Sequence, residues 1–263
     1  MDYDPSVSLR ERIHRGDLLV GTFLNLGAPQ AVEVAGLSGR EWLLLDLEHG
    51  AGTEADLLPQ IYAAEASGVP ALVRVEMSTR MRIGRALDLG AGGVMVPRLE
   101  TPDEAREAVS YVRYQPEGVR GVALLTRGAD LGRVGHGDTG AKSATLPLVV
   151  QIENPSAVEH AAEIAAIDGV DVLFVGPTDL SHSLGIPGEF ANARYLAALR
   201  HVVAAAREAG KEAGILLRRL EDLERHVDLG FRFIGVGSDS AWIADGGTAT
   251  AKAAAALRSR LAG

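Results

Sequence analysis

Acidic, basic and amide side chains recur in this sequence at the ends of short apolar runs, where packing gives no reason for them. Asp46, Glu48 and His49 close the run WLLLDLEH, and Arg74 lies in PALVRV. Gln151 and Glu153 close LVVQIE, Thr178, Asp179 and Ser181 follow DVLFVGP, and Asp239 follows FIGVGS. Two carboxylates and several waters make a hard, oxygen-rich site suited to Mg²⁺ or Mn²⁺. Such a site leaves positions open for a bidentate ligand, and a 2-oxo acid such as pyruvate offers a carboxylate oxygen and a keto oxygen in chelating geometry. A metal there polarises the ketone and favours the enolate at the next carbon. A guanidinium near that oxygen adds electrostatic stabilisation, and a histidine oriented by an aspartate can move the proton. The set suffices for aldol chemistry without a Schiff base, and no lysine lies within a strand run to supply one. Each residue also has a plainer reading. Arg74 could be the partner of Asp46 or Glu48, and His49 a loop cap. Glu153 could cap a helix starting near Pro155, and Asp179 could be an ordinary turn aspartate. Their convergence on five separate run ends favours a shared site.

The elements that would position these groups follow from the apolar pattern. Strands are expected at 18–24, 42–47, 70–75, 93–97, 147–152, 171–175, 212–217 and 232–237. The runs are continuous rather than alternating, as in strands buried on both faces. Helical segments separate them. In 155–167, Val158, Ala161, Ala162 and Ala165 share a face; in 191–210, Leu196, Leu199, Val203 and Ala206 do so, with Gly210 ending the helix. Thr101-Pro102-Asp103-Glu104 opens another with an N-cap, a proline and two acids. Eight strand–helix pairs predict an α/β fold, a single (β/α)8 TIM barrel over 1–263, whose reactive groups sit at the C-terminal strand ends. An open doubly wound sheet is the alternative, but the first strand runs into NLGAPQ and lacks a glycine fingerprint for phosphate. Segment 113–146, long and rich in Gly and Arg, exceeds a minimal repeat and is read as an active-site cover or an oligomer contact.

Composition narrows the function. Of 263 residues 47% are hydrophobic, enough for a large core, and the absence of cysteine excludes disulfides, thiolate nucleophiles and thiolate metal sites. That absence fits a cytoplasmic protein, and the first seventeen residues carry no apolar segment of secretory type. A net charge of -9 argues against a nucleic-acid partner, and no apolar stretch is long enough to predict a membrane partner.

From Gly16 to Asp239 the chain resembles the HpcH/HpaI aldolases, metal-dependent class II pyruvate aldolases. The resemblance rests on EWLLLDLEHG, VRV, GAGGVMVPRLETPDEA, RYQPEGVRG, VVQIEN, VGPTDLSHSLG and FIGVGSDS, of which QIE and GPTDLSHSLG are the most specific. It implies that Glu153 and Asp179 hold the divalent metal (Mg²⁺ or Mn²⁺, with Co²⁺ a further candidate). It implies that Arg74 contacts the keto or enolate oxygen, and that His49, paired with Asp46, transfers the proton. Gln151 would lie near metal and substrate, and the backbone amides of Thr178 and Asp179 would hold the pyruvate carboxylate. The implied activity joins or cleaves 4-hydroxy-2-oxo acids, with a small 2-oxo acid and an aldehyde as partners. A homo-oligomer is also implied, a hexamer built as a trimer of dimers with the terminal helix exchanged. Two alternatives keep the barrel: a citrate synthase- or lyase-like enzyme using oxaloacetate or acyl-CoA, and a protein that binds a 2-oxo acid without turnover. Three departures fall where the aldehyde side of the pocket is expected. They are Gly50-Ala51-Gly52-Thr53 after the Glu-His pair, ALLTRGADLGR after RGV, and Glu76 where a proline is frequent.

Overall fold

In the computed structural model, which describes residues 7–262, eight parallel strands close into a barrel in sequence order. They are β1 (Leu19–Leu24), β2 (Leu43–Asp46), β3 (Ala71–Arg74), β4 (Val94–Val96), β5 (Leu148–Ile152), β6 (Val172–Val175), β7 (Glu212–Leu217) and β8 (Phe233–Ser238). Closure comes from the β1–β8 pairing, Leu19 opposite Phe233 and Val20 opposite Ile234. The expected (β/α)8 barrel is therefore present, and the eight expected strands match within two residues at either end. Residues 1–6, the start of the secretory-signal reading, lie outside the described residues.

The two faces of each strand divide the core. Leu43, Leu45, Val73, Val150 and Ile152 face the helices, while Leu44, Leu72, Met95, Val149 and Val172 fill the interior. Few aromatics exist, yet four meet inside: Trp42 stacks on Phe233 with centroids 4.2 Å apart, and Phe23 and Phe174 pack on their edges. Room for them comes from glycine. A Cβ on Gly21 would fall 2.1 Å from Trp42, and one on Gly214 2.5 Å from Phe174. The helix Leu9–His14 inserts Leu9 and Ile13 beneath this layer and plugs the N-terminal end. The opposite end is left for chemistry.

The helices follow the expected signals with one exception. Thr101 makes a full capping box with Glu104, and Ala193–Glu208 ends before Gly210, whose φ is 66°. The expected helix over 155–167 is instead two, Pro155–Glu159 and Ala161–Ala165, broken at His160. The His160 ring nitrogen Nδ1 sits 3.0 Å from the Ser156 carbonyl and 3.2 Å from that of Glu100, a local alternative to continuing the helix. The buried face there runs through Ala157, Ala161, Ile164 and Ala165, and Ala162 points outward.

Segment 113–146 does not cover the site of its own barrel. Arg120 pairs with Asp88 at 2.9 Å and Arg127 with Glu65 at 2.5 Å, and Arg10 donates to the Ala144 carbonyl at 2.7 Å. Asp88 and Glu65 end helices that run back to the N-terminal ends of the strands, so the segment is anchored at the mouth opposite the strand C-termini. The last helix, Asp239–Ala262, leaves the barrel with Ile243, Leu257 and Leu261 exposed. Among the described residues no helix is long and apolar enough to cross a membrane.

Candidate active site

Strand alternation sets a polar layer directly above the apolar interior. Leu44, Leu72 and Val149 face inward, so Asp46, Arg74 and Gln151, two residues further along β2, β3 and β5, face inward as well. Asp46 and Arg74 are register partners across β2 and β3. Their side chains form a two-point pair, Nε to Oδ1 at 2.8 Å and Nη2 to Oδ2 at 2.7 Å, both buried. Arg74 Nη1 reaches Glu48 Oε2 at 3.0 Å and Gln151 Oε1 at 3.4 Å, and the guanidinium lies 5.3 Å from the Phe23 ring centroid. Burial works against the charge on Arg74, but the hydrogen bonds and charge of Asp46, with Glu48 and Glu153, raise its pKa above the usual guanidinium value. The guanidinium is fixed in place and in charge.

Gln151 passes the network on, donating from Nε2 to Glu153 Oε2 at 3.1 Å. The other oxygen of Glu153 accepts the backbone N–H of Arg98 at 2.7 Å, from a residue held at φ 60°. Asn154, not Glu153, caps the next helix, its side chain accepting from the N–H of Ala157 at 2.8 Å. Glu153 is therefore released to the strand mouth. Asp179 lies in the first turn of Pro177–Ser183, exposed, after Gly176 and Pro177. Gly176 is needed there, because a Cβ would come 2.7 Å from Glu153 Oε2 and 3.2 Å from Glu153 Cβ. Burial first, then the charges of Asp179 and Glu48, push the Glu153 pKa up to about 7 against the pull of the Arg98 N–H and Arg74. Burial likewise raises Glu48, opposed by Arg74 and His49 and reinforced by Asp46 and Asp179.

Glu153 and Asp179 thus form an acidic pair whose mutual cost a divalent cation would remove, with oxygen donors of the type Mg²⁺ and Mn²⁺ prefer. Among the described residues no group of three or more His, Cys, Asp or Glu side chains is arranged to hold a metal ion. The fit rests on the pair, with water completing the shell.

His49 differs from expectation in one respect. Asp46 bonds its backbone N–H at 3.3 Å rather than its ring, because both Asp46 oxygens are occupied by Arg74, with Asn25 on Oδ2 and the Glu48 N–H on Oδ1. The His49 ring is mostly exposed, and its Nε2 stands 3.9 Å from Glu48 Oε2. A tight turn follows, in which a Cβ on Gly50 would meet the Asp46 carbonyl at 2.1 Å. Thr178 is exposed beside Asp179, and the N–H groups of both lie in a first helical turn, where no intrahelical acceptor exists.

Of four further contributors, Glu48 and Asp239 were placed at the rim from sequence without a role of their own, and Asn25 and the Arg98 N–H were not singled out. Glu48 was visible inside LDLEHG but was read only as a partner for Arg74. Asn25 orients Asp46, and Asp239 fixes Asn25 by accepting its N–H at 2.8 Å, that of Leu26 at 3.1 Å and that of Ser240 at 2.8 Å. The fourth, the Arg98 N–H, gives no sequence signal because it acts through backbone conformation.

Comparison with known proteins agrees with this geometry. Residues 19–245 match the family model described as HpcH/HpaI aldolase/citrate lyase. The chain is 39% identical over 242 residues to a hydroxypyruvate/pyruvate aldolase of Delftia acidovorans, covering 89% of this chain and 87% of that protein. It is 39% identical over 221 residues to a 5-keto-4-deoxy-D-glucarate aldolase of Klebsiella pneumoniae, covering 84% and 86%. Among solved structures, an HpcH/HpaI aldolase/citrate lyase family protein from Burkholderia cenocepacia superposes with a TM-score of 0.88 at 34% identity, over 95% of this chain and 98% of that one. With its barrel, its polar layer and its sequence in accord, the chain belongs to the HpcH/HpaI aldolase/citrate lyase family.

Proposed function

We propose that this protein is a divalent-metal-dependent aldolase that makes or cleaves 4-hydroxy-2-oxo acids, with pyruvate and an aldehyde as the separated partners. The observation that carries the reading is the acidic pair Glu153 and Asp179 beside a buried, charge-locked Arg74 at the strand mouth. Relatives at 39% identity are aldolases by name, which supports carbon–carbon lyase chemistry over the citrate synthase alternative.

Glu153 and Asp179 would hold the cation, Mg²⁺ or Mn²⁺. When bound, it supplies Lewis-acid polarisation of the 2-oxo acid. Arg74 donates three hydrogen bonds, two to Asp46 and one to Gln151, and its Nη1 stands 3.0 Å from Glu48 Oε2. The N–H left on Nη2 is the donor for the keto oxygen and, more strongly, for the enolate oxygen that develops from it. Because Asp46 and Glu48 fix the guanidinium beforehand, little reorganisation is needed as charge builds. His49, with its exposed ring beside Glu48, carries the proton to or from the aldol hydroxyl, and Asp46 orders its loop through the backbone. Gln151 keeps Glu153 aligned, and the N–H groups of Thr178 and Asp179 receive the pyruvate carboxylate.

The subunit is proposed to work in a homo-oligomer, a hexamer of three dimers with the terminal helix exchanged. Support comes from that helix, which displays Ile243, Leu257 and Leu261 to solvent. The catalytic test is exchange of pyruvate methyl protons with deuterium in the presence of Mg²⁺ or Mn²⁺. The reading requires exchange that is lost in Glu153→Ala; exchange no faster than in that variant contradicts it.

A further inference from the structure

We propose that a cavity at the N-terminal mouth of the barrel, walled by segment 113–146, binds a small organic anion with one negative charge on a short hydrocarbon body. The inference is independent of the aldolase reading, because the cavity lies at the mouth opposite Glu153 and Asp179.

The cavity holds about 400 Å³, the size of a site for a small molecule. Two pieces of chain enclose it. One is the turn Gly90-Ala91-Gly92, which leads from the helix Arg80–Asp88 into β4; the other is the segment itself, through Arg127, Leu131, Arg133 and Lys142. Gly128 lets the two close up, since a Cβ there would fall 2.2 Å from the Leu87 carbonyl oxygen. Catalytic groups of such barrels gather at the other end, and among the described residues the lining carries no hydroxyl, thiol or imidazole. The cavity is a place for recognition and not for a second reaction.

Three cations meet there, differently committed. Arg127 stacks on Tyr62 at 4.3 Å and gives Nη2 to Glu65, while its buried Nε has no hydrogen-bond partner. A Cβ on Gly90 would stand 3.3 Å from that Nε, so the unmet N–H lies at the cavity wall. Lys142 reaches both Asp130 oxygens, at 3.1 and 3.2 Å. Arg133 is exposed, and among the described residues its guanidinium makes no ion pair or hydrogen bond. The lining acids are Glu65 and Asp130, so one positive charge is left without a counter-charge, on a chain of net charge -9. The backbone is bent to complete the wall. Asp130 and Leu131 take left-handed φ values of 50° and 54°, a costly pair for residues with a Cβ. That turn brings Asp130 to Lys142 and holds Leu131 out at 63% exposure, with Leu87 and Leu146 as further apolar lining. A leucine held out at that cost beside an unpaired arginine suits an occupant with both charge and hydrocarbon. The single excess charge matches a monoanion, and the leucines match a short alkyl chain.

The test is calorimetric titration with hexanoate, acetate and hexan-1-ol, with Mn²⁺ and pyruvate present to occupy the catalytic mouth. Hexanoate should saturate one site per chain. Acetate, which lacks the hydrocarbon, and hexan-1-ol, which lacks the charge, should each bind about tenfold more weakly or worse. Arg133→Ala removes no side-chain contact within the chain, so it should unfold in urea like wild type. It should weaken hexanoate about tenfold or more, the scale of one hydrogen bond to a charged group, and Arg133→Lys should keep most of the affinity. Leu131→Ser should weaken hexanoate and leave acetate unmoved. Absence of saturation by hexanoate overturns the proposal, as does acetate or hexan-1-ol binding as tightly, or unchanged affinity in Arg133→Ala. Binding lost in Asp179→Asn and kept in Arg133→Ala would put hexanoate at the catalytic mouth, which also overturns it. A changed sedimentation coefficient in Arg133→Ala would assign the arginine to a contact between copies of the chain, with the same consequence.

Discussion

Replacing Glu153 with glutamine should stabilise the metal-free protein above neutral pH and change it little in mild acid. Glu153 is 6% exposed, and burial together with Asp179 and Glu48 lifts its pKa from 4.5 to about 7. An acid raised in the folded state holds its proton more tightly there than in the unfolded chain. Its contribution is fully present below the unfolded pKa and is lost as pH climbs through about 7. The rise corresponds to at most roughly 3 kcal/mol of destabilisation in the fully ionised state, shared with the acids around it. Glutamine nearly matches the protonated acid in shape and can still accept the Arg98 N–H. Urea unfolding of chelator-treated wild type and Glu153→Gln, near pH 5 and near pH 8, measures the difference. The variant should be the more stable by on the order of 1–3 kcal/mol near pH 8 and about equal near pH 5. Mg²⁺ or Mn²⁺ should then stabilise wild type near pH 8 and leave the variant unmoved. A variant equal to or weaker than wild type near pH 8 would refute the claim that Glu153 is a strained, uncompensated charge.

Two further substitutions probe the supports of the site. Gly176→Ala places a methyl group 2.7 Å from Glu153 Oε2 and should cost about 1–3 kcal/mol in urea unfolding, with a loss of Mn²⁺ affinity; unchanged affinity would show that the glycine does not shape the acidic pair. Asn154→Ala removes only the helix cap on Ala157 and should cost about 1 kcal/mol of stability while Mn²⁺ binding is kept, so loss of the metal in this variant would mean that the division between Glu153 and Asn154 is wrong.

Much of this arrangement was legible in the chain. Strands buried on both faces leave unbroken apolar runs, and in a closed barrel those runs can end only at two mouths. Asp46, Arg74, Gln151 and Glu153 could thus be placed at one rim by counting along their strands. What the sequence left open was which partner each would take. Whether Glu153 capped the helix at Pro155 depended on which way its side chain faced, and strand alternation settles that only once the register is known. The Asp46 carboxylate was expected to meet the His49 ring but is occupied by Arg74 and Asn25, because register pairing brings Arg74 alongside it while the turn at Gly50 leaves the imidazole outside. The break at His160 and the left-handed Arg98 are decided by local backbone competition that periodicity does not report. Of the two readings of segment 113–146, a cover for the site or an oligomer contact, the first did not foresee the anchors at Glu65 and Asp88, of which its length gave no sign.

The claim that Glu153 and Asp179 together hold one dication on which pyruvate docks is tested most directly by titrating Mn²⁺ and following the free ion by electron paramagnetic resonance. The account predicts a single site per chain that tightens when pyruvate is added and is lost in both Glu153→Gln and Asp179→Asn. Retention of wild-type Mn²⁺ affinity in both variants would contradict it.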